Sequence, residues 1–137
     1  MIVADTGSLV AALNSKDRHH RLCVDLLNRY RGPVVVPAPI ITEVAYLTCL
    51  RSGPKVEASF LDSLARGELP VEPTTAADFA RMAELVRSYA DFPLGTADAA
   101  VIATAEQLGV RRIATLDHRH FRAVRPAHCA AFELLPE

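Results

Sequence analysis

The first ten residues constrain the fold of this chain more than any other stretch. Residues 1–4 are apolar, Asp5 follows them, and residues 6–8 are small. An apolar run without polar interruption is typical of a strand buried on both faces, which predicts a central position in a parallel sheet. Residues 6–8 are expected to form a tight turn with capping hydroxyls before a helix that begins at Leu9. Asp5 would then lie at the edge where open α/β sheets bind their ligands.

Predicted strands and helices alternate along the rest of the chain. Further strands are predicted at 34–37, 70–73, 112–115 and 132–135, and helices at 16–29, 40–51, 56–65, 76–89 and 97–108, the last with Thr96 as its N-cap. Residues 117–121 are expected to form a turn. Such alternation implies right-handed crossovers. The predicted fold class is therefore a three-layer α/β/α fold with a mostly parallel sheet of four to five strands.

Length and composition narrow the class of protein. A chain of 137 residues fits one domain, residues 1–137, with a sizeable core. No apolar run approaches the roughly 18 to 20 residues that cross a bilayer, and no signal-peptide pattern opens the chain, so we expect a cytoplasmic protein. The three cysteines are far apart and form no Cys-x-x-Cys pair, which argues against a zinc or redox centre. The formal net charge of −1 says little about partners.

Four acidic residues are expected to meet at one edge of the sheet. Crossover helices run opposite to the strands, so the carboxyl ends of strands and the amino ends of helices share an edge. Asp5 ends the first strand, and Asp117 follows the fourth. Glu43 lies one turn into the helix after the second strand, and Asp98 lies in the first turn of the helix before the fourth. All four are therefore predicted to reach the same edge.

Helical periodicity places two of these acids on apolar faces. At about 100° per residue, Asp98 lies among Val101 and Ile102, and Glu43 shares a face with Val44. Buried carboxylates that lie close together raise one another's pKa unless a cation offsets the repulsion. Oxygen ligands without nearby cysteine or regular histidine spacing favour Mg²⁺ or Mn²⁺ over zinc. Each acid taken alone also fits a cap, a helix-dipole partner or a turn former.

The motifs around these acids resemble those of PIN-domain ribonucleases. They are Val3-Ala4-Asp5-Thr6-Gly7-Ser8, Thr42-Glu43 after a short valine strand, Asp91-x-Pro93-Leu94-Gly95-x-x-Asp98-Ala99, and Thr115-Leu116-Asp117-x-x-x-Phe121. Each motif alone is weak, but their order and spacing over nearly the whole chain are a strong signal. The compact length most resembles the VapC-type toxins of bacterial toxin–antitoxin pairs.

This resemblance implies a PIN-like fold and a metal-dependent endoribonuclease that uses Mg²⁺ or Mn²⁺. The acidic pocket would comprise Asp5, Glu43, Asp98 and Asp117. Asp5 and Asp98 are expected to bind the metal directly. The sequence leaves open whether the other two acids bind directly, bind through water, or help to activate the nucleophile.

Three further residues match positions beside this pocket. Thr6 and Thr115 are expected to orient carboxylates or water, although both also fit turn caps. Asp91 is expected to shape the loop that contains Pro93-Leu94-Gly95.

Contacts with RNA are expected from arginines in the last third of the chain. Arg112, Arg119 and Arg122 are the candidates for binding the backbone beside the cleavage point, and a solvated surface is the alternative. His118 and His120 also suggest a metal-free ribonuclease with two histidines, but the chain's other histidines are scattered.

Partners follow mainly from the resemblance, which implies an RNA substrate, a homodimer and a VapB-like antitoxin whose C-terminal segment covers the pocket. Apolar residues at 22–27 and 56–64 are candidates for the receiving groove, and an ordinary core is the alternative. No membrane association is expected.

Two other classes of function compete with this reading. A receiver-like or phosphoryl-transfer α/β domain also carries acids at strand ends, but neither lysine, Lys16 or Lys55, lies near the later strands. A non-catalytic interaction module is the other, and the intact acid set argues against it.

Overall fold

The computed structural model describes residues 1–137, which fold into a five-stranded sheet with helices on both faces. The strands are β1 (Ile2–Ala4), β2 (Val34–Pro37), β3 (Val71–Glu72), β4 (Arg112–Ala114) and β5 (Glu133–Leu135). Their order is β3-β2-β1-β4-β5, and every neighbouring pair is parallel. The predicted three-layer α/β/α fold is confirmed.

Seven helices connect and cover these strands. They are α1 (Thr6–Leu13), α2 (His20–Arg29), α3 (Ile41–Ser52), α4 (Pro54–Ala65), α5 (Ala76–Ser88), α6 (Thr96–Leu108) and α7 (His118–Ala123). One 3-10 turn, Ala38–Ile40, precedes α3. Most predicted bounds lie within two residues of these.

The larger differences lie at helix starts. Residues 6–8, predicted as a turn, form the first turn of α1, because the Asp5 carboxylate caps that helix. The predicted turn after Asp117 is helix α7, which Asp117 caps in the same way. Thr96 is the first residue of α6 rather than its N-cap. The second helix starts at His20 and not at residue 16, since a turn precedes it.

The central position of β1 explains where a ligand site lies. All three residues of β1 are fully buried, as the uninterrupted apolar run predicts. The chain leaves β1 towards β2 on one side and returns later, through α5 and α6, to β4 on the other side. The strand order therefore reverses between β1 and β4. Open α/β sheets bind ligands at the carboxyl edge of such a point.

Helix α6 is the most deeply buried helix and carries one of the acids. Seven consecutive residues, 99–105, are buried, which is typical of a helix covered all round. Gly109 ends it in the left-handed conformation with φ 66°. Asp98, in its first turn, is therefore carried by a rigid support.

The exposed apolar side chains do not form the single groove predicted from residues 22–27 and 56–64. Helix α1 packs against both α2 and α3, and α3 packs against α4, so α1 and α3 separate the predicted groove segments on α2 and α4. Phe60 lies in the core, and Leu26, Leu27 and Leu64 pack against it. The large exposed ones on these helices are Leu22, Tyr46, Leu50 and Leu61.

Replacing Ile113 by alanine tests the internal position of β4. Ile113 is fully buried between β1 and β5, so Ile113→Ala is expected to lower the free energy of unfolding by about 2 to 5 kcal/mol. Val71→Ala, on the exposed edge strand β3, should cost less than about 1 kcal/mol. Urea unfolding of both variants measures the difference, and equal losses would contradict this strand order.

Candidate active site

A cavity of about 460 Å³ opens at the carboxyl edge of the sheet, next to β1. Its lining residues are Asp5, Thr6, Gly7, Glu43, Leu47, Ala97, Asp98, Leu116 and Asp117. The four acids that the sequence places at one edge therefore share one cavity, although they come from four separate parts of the chain.

Asp5 is the most buried of the four acids. It is only 5% exposed, and its two carboxylate oxygens accept hydrogen bonds from different elements. Oδ1 accepts from the Thr6 amide at 2.7 Å, and Oδ2 accepts from the Thr115 hydroxyl at 2.9 Å. The Thr115 hydroxyl oxygen also accepts a bond of 2.9 Å from the Asp117 amide. Thr115 thus links Asp5 to the segment that carries Asp117.

The two acids carried by helices differ in burial. The Asp98 side chain is 18% exposed, in keeping with its predicted place beside buried Val101 and Ile102. Glu43, predicted on an apolar face, is exposed. Its neighbour Val44 is fully buried, and a rotation of about 100° between successive residues turns Glu43 away from the core and into the cavity.

His120 also belongs to this group, although the sequence indicated it only as one of a histidine pair. Its Nδ1 contacts Asp117 Oδ2 and lies 3.6 Å from Asp98 Oδ2. Its amide donates to Asp117 Oδ1 at 3.2 Å. The signal was present in the sequence, since an N-cap acid interacts with the residue three positions later. It required recognising Asp117 as a helix cap.

The other histidine of the pair lies elsewhere. His118 lines a separate cavity together with Arg122 and Glu137, whereas His120 contacts the acids. The two imidazoles therefore do not face a common site, and the arrangement does not support a metal-free ribonuclease built on this pair.

Burial and mutual repulsion raise the pKa of two of the acids. Burial raises the pKa of Asp5 to about 6, the Thr115 hydrogen bond opposes this, and the charge of Asp98 adds to the rise. Burial also raises the pKa of Asp98, against the effect of His120 and together with the charges of Asp117 and Glu43. A cation among these carboxylates would relieve the repulsion.

The residues fit a hard cation by donor type. All four candidate ligands are carboxylates, which suit Mg²⁺ or Mn²⁺. The Thr6 hydroxyl in the same cavity is buried without a hydrogen-bond partner, so a polar atom of a ligand or water would satisfy it. No three of the chain's acidic, histidine or cysteine side chains converge closely enough to form a ready metal cage. The acids line the cavity rather than enclose an ion.

The remaining predicted residues fall at different distances from the cavity. Asp91 is exposed and outside the lining, in the loop before α6. Arg119 lies over the ring of Phe92, and Arg122 is exposed on α7.

Arg112 does not lie beside the acidic cavity, contrary to the prediction. It begins β4 and so lies at the amino edge of the sheet, whereas Asp117 follows the carboxyl end of the same strand. Its Nε lies 3.0 Å from Glu133 Oε2, and its Nη1 donates to the Tyr30 hydroxyl at 3.5 Å. Closeness in sequence was misleading because a strand separates the two positions.

Comparisons with known proteins agree on one family. The family model described as PIN domain matches residues 2–126. Ribonuclease VapC26 of Mycobacterium tuberculosis is 31% identical over 135 residues, which cover 98% of this chain and 100% of that protein.

Solved structures share the fold. Mycobacterium tuberculosis VapC20, described as a sarcin-ricin loop cleaving toxin, matches with a TM-score of 0.84 and 18% identity over 95% of this chain and 99% of that chain. FitAcB from Neisseria gonorrhoeae matches with a TM-score of 0.66 and 24% identity over 97% of both chains. None of the helices has both the length and the apolar composition of a transmembrane span.

Substituting Asp5 by asparagine is expected to reduce the loss of stability between acidic and neutral pH when divalent metal is removed. The pKa of Asp5 rises from 3.8 to about 6 on folding, so its contribution to stability is present below about pH 4 and is lost as the pH rises through about 6. Asparagine does not ionise, and Asp5→Asn should escape this loss, by up to about 3 kcal/mol.

Urea unfolding in EDTA at pH 4 and pH 8 measures the effect. The free energy of unfolding of Asp5→Asn relative to the parent protein should increase from pH 4 to pH 8. Asp62→Asn, on the exposed surface of α4, should show no such increase. A difference independent of pH would contradict the raised pKa.

Proposed function

This chain belongs to the PIN-domain family and is of the VapC ribonuclease type, and we propose that it hydrolyses RNA phosphodiester bonds with Mg²⁺ or Mn²⁺ held in its acidic cavity. The observation that most supports this is the convergence of four acids, distant in sequence, on one cavity at the carboxyl edge of the sheet. Burial raises the pKa of both Asp5 and Asp98, and the charges of neighbouring carboxylates add to the rise in each.

In this proposal Asp5 and Asp98 are the direct metal ligands. A bound ion would position and deprotonate a water for in-line attack and stabilise charge on the phosphate oxygens. The Thr6 amide and the Thr115 hydroxyl hold the Asp5 carboxylate in one orientation. Preorganisation of this kind matters because a small displacement of a ligand weakens both binding and catalysis.

The other two acids have roles nearer to solvent. Glu43 is exposed at the cavity, and the Asp117 side chain is 42% exposed. Both are available to bind the ion through water or to accept a proton from the attacking water. Thr115 contributes as a positioning residue, because its hydroxyl orients Asp5 and accepts the Asp117 amide.

The same proposal includes the partners of a toxin. The chain would act on RNA, form a homodimer and be inhibited by a VapB-like antitoxin. Exposed apolar side chains on neighbouring helices support a protein interface: Tyr46 is 62% exposed and Leu50 65% on α3, and Leu61 is 46% exposed on α4. An amphipathic antitoxin segment is the kind of partner that covers such a surface.

Cleavage of labelled RNA with and without metal tests the catalytic proposal. The protein is expected to cleave with Mg²⁺ or Mn²⁺, to lose activity in EDTA and to recover it on metal addition. Asp98→Asn should lower the rate by about a hundredfold or more, because it removes a ligand charge. Asp62→Asn removes an equal charge at an exposed site on α4 and should retain activity.

Two results would overturn this assignment in different directions. Phosphorylation of an acid by a small phosphodonor would support a receiver-like domain. Absence of both metal binding and RNA cleavage would support a non-catalytic interaction module.

Metal binding should also stabilise the fold. A ligand that binds only the folded state stabilises it by about 2.7 kcal/mol at one hundred times its dissociation constant. Mn²⁺ should therefore raise the melting temperature of the parent protein and raise that of Asp98→Asn much less. Equal shifts in the two proteins would place the ion outside this cavity.

A further inference from the structure

Three side chains, Arg119, Phe92 and His120, form a cluster next to the acids. The Arg119 guanidinium carbon lies 5.6 Å from the centroid of the Phe92 ring. The His120 ring meets Phe92 at 4.9 Å with an interplanar angle of 89°. Because His120 also contacts Asp98 and Asp117, Phe92 connects Arg119 to the acidic cavity.

The residues of this cluster are held in place by the backbone on both sides of their contact. Arg119 and His120 are consecutive in α7, whose first turn Asp117 caps. Phe92 belongs to the loop between α5 and α6, where its amide donates to the Tyr89 carbonyl at 3.1 Å. Leu94, two residues later, is 2% exposed and anchors the loop in the core. The cluster is therefore supported by two separate parts of the chain.

Arg119 differs from the arginines that form ion pairs. Arg66, Arg81 and Arg112 each pair with a glutamate, whereas Arg119 is exposed and has no carboxylate within 4.0 Å. Stacking on an aromatic ring uses one face of the guanidinium and leaves its N–H groups available. Such a planar fork matches the oxygens of a phosphate.

We propose that Arg119, oriented by Phe92, binds a phosphate of the RNA backbone beside the phosphate that is cleaved. This inference rests on the proposed function, since it takes the acidic cavity as the cleavage point. A single cation near several carboxylates also offsets their repulsion of an anionic substrate.

A phosphate is favoured over a base for a geometric reason. The Phe92 ring already contacts the Arg119 guanidinium and the His120 ring, so it is not a free platform for base stacking. Phe92 is thus a positioning residue, and its effect on RNA passes through Arg119.

Binding of a short fluorescent oligouridylate at several KCl concentrations tests the contact. The measurement uses Asp5→Asn with Mg²⁺, so that the RNA stays intact. Adding Arg119→Ala should weaken binding about tenfold and reduce the slope of log affinity against log salt by about 0.7, the value for one phosphate on a single strand. Arg111→Ala, which removes the same charge at the amino edge of the sheet, should change neither quantity.

Phe92 is tested by a double-mutant cycle. Phe92→Leu should weaken binding several-fold when Arg119 is present and should have little further effect in Arg119→Ala. Phe92→Tyr keeps an aromatic ring at this position and should retain binding. Equal losses in both backgrounds would mean a general structural role and would overturn the positioning assignment.

The probe's chemistry separates phosphate from base. An oligomer with abasic sites should keep its dependence on Arg119, and a methylphosphonate at one linkage should abolish it. Dependence that disappears with the bases would overturn the proposal in favour of stacking, and an unchanged salt slope in Arg119→Ala would overturn it outright.

A parallel cleavage assay on the parent protein keeps the two proposals distinguishable. Cleavage together with an unchanged slope in Arg119→Ala rejects only the phosphate contact. A reduced slope without any cleavage rejects the proposed function and leaves a backbone-binding site.

Discussion

The carboxylate of Asp5 accepts hydrogen bonds from the Thr6 amide and from the Thr115 hydroxyl, and these two bonds join separate elements at one point. The first starts helix α1 directly after β1, and the second connects β1 to the end of β4. Thr115 extends the network to the Asp117 amide. The reversal of strand order places a cavity at this edge. The hydrogen-bond network fixes Asp5 there and connects it to the segment that carries Asp117.

Keeping these carboxylates buried and close together destabilises the folded protein when no cation is bound. Burial raises the pKa of Asp5, and neighbouring carboxylates add to the effect. The chain compensates in part, because His120 lies beside Asp98 and Asp117 and opposes the rise in the pKa of Asp98. A cation bound among these carboxylates would relieve their repulsion, and metal binding would then stabilise the folded state.

Much of the fold follows from local patterns. Buried parallel strands appear as uninterrupted apolar runs, and for this reason β1, β2 and β4 are found close to their predicted bounds. Helix starts were harder to predict where the same acid both lines the cavity and caps a helix. Asp5 and Asp117 line the cavity and are also N-caps, whereas the sequence allows each acid a capping role without predicting a helix directly after it. The turns predicted after them are consequently the first turns of helices.

The sequence by itself determined the fold class and the edge to which the four acids belong, because strand patterns and crossover direction set both. The tertiary structure alone decided which side chains face that edge. It left Glu43 exposed at the cavity, placed His120 beside Asp98 and placed Arg119 over the ring of Phe92. The contacts of His120 with Asp98 and of Arg119 with Phe92 join α7 to other parts of the chain, and local periodicity carries no information about that packing.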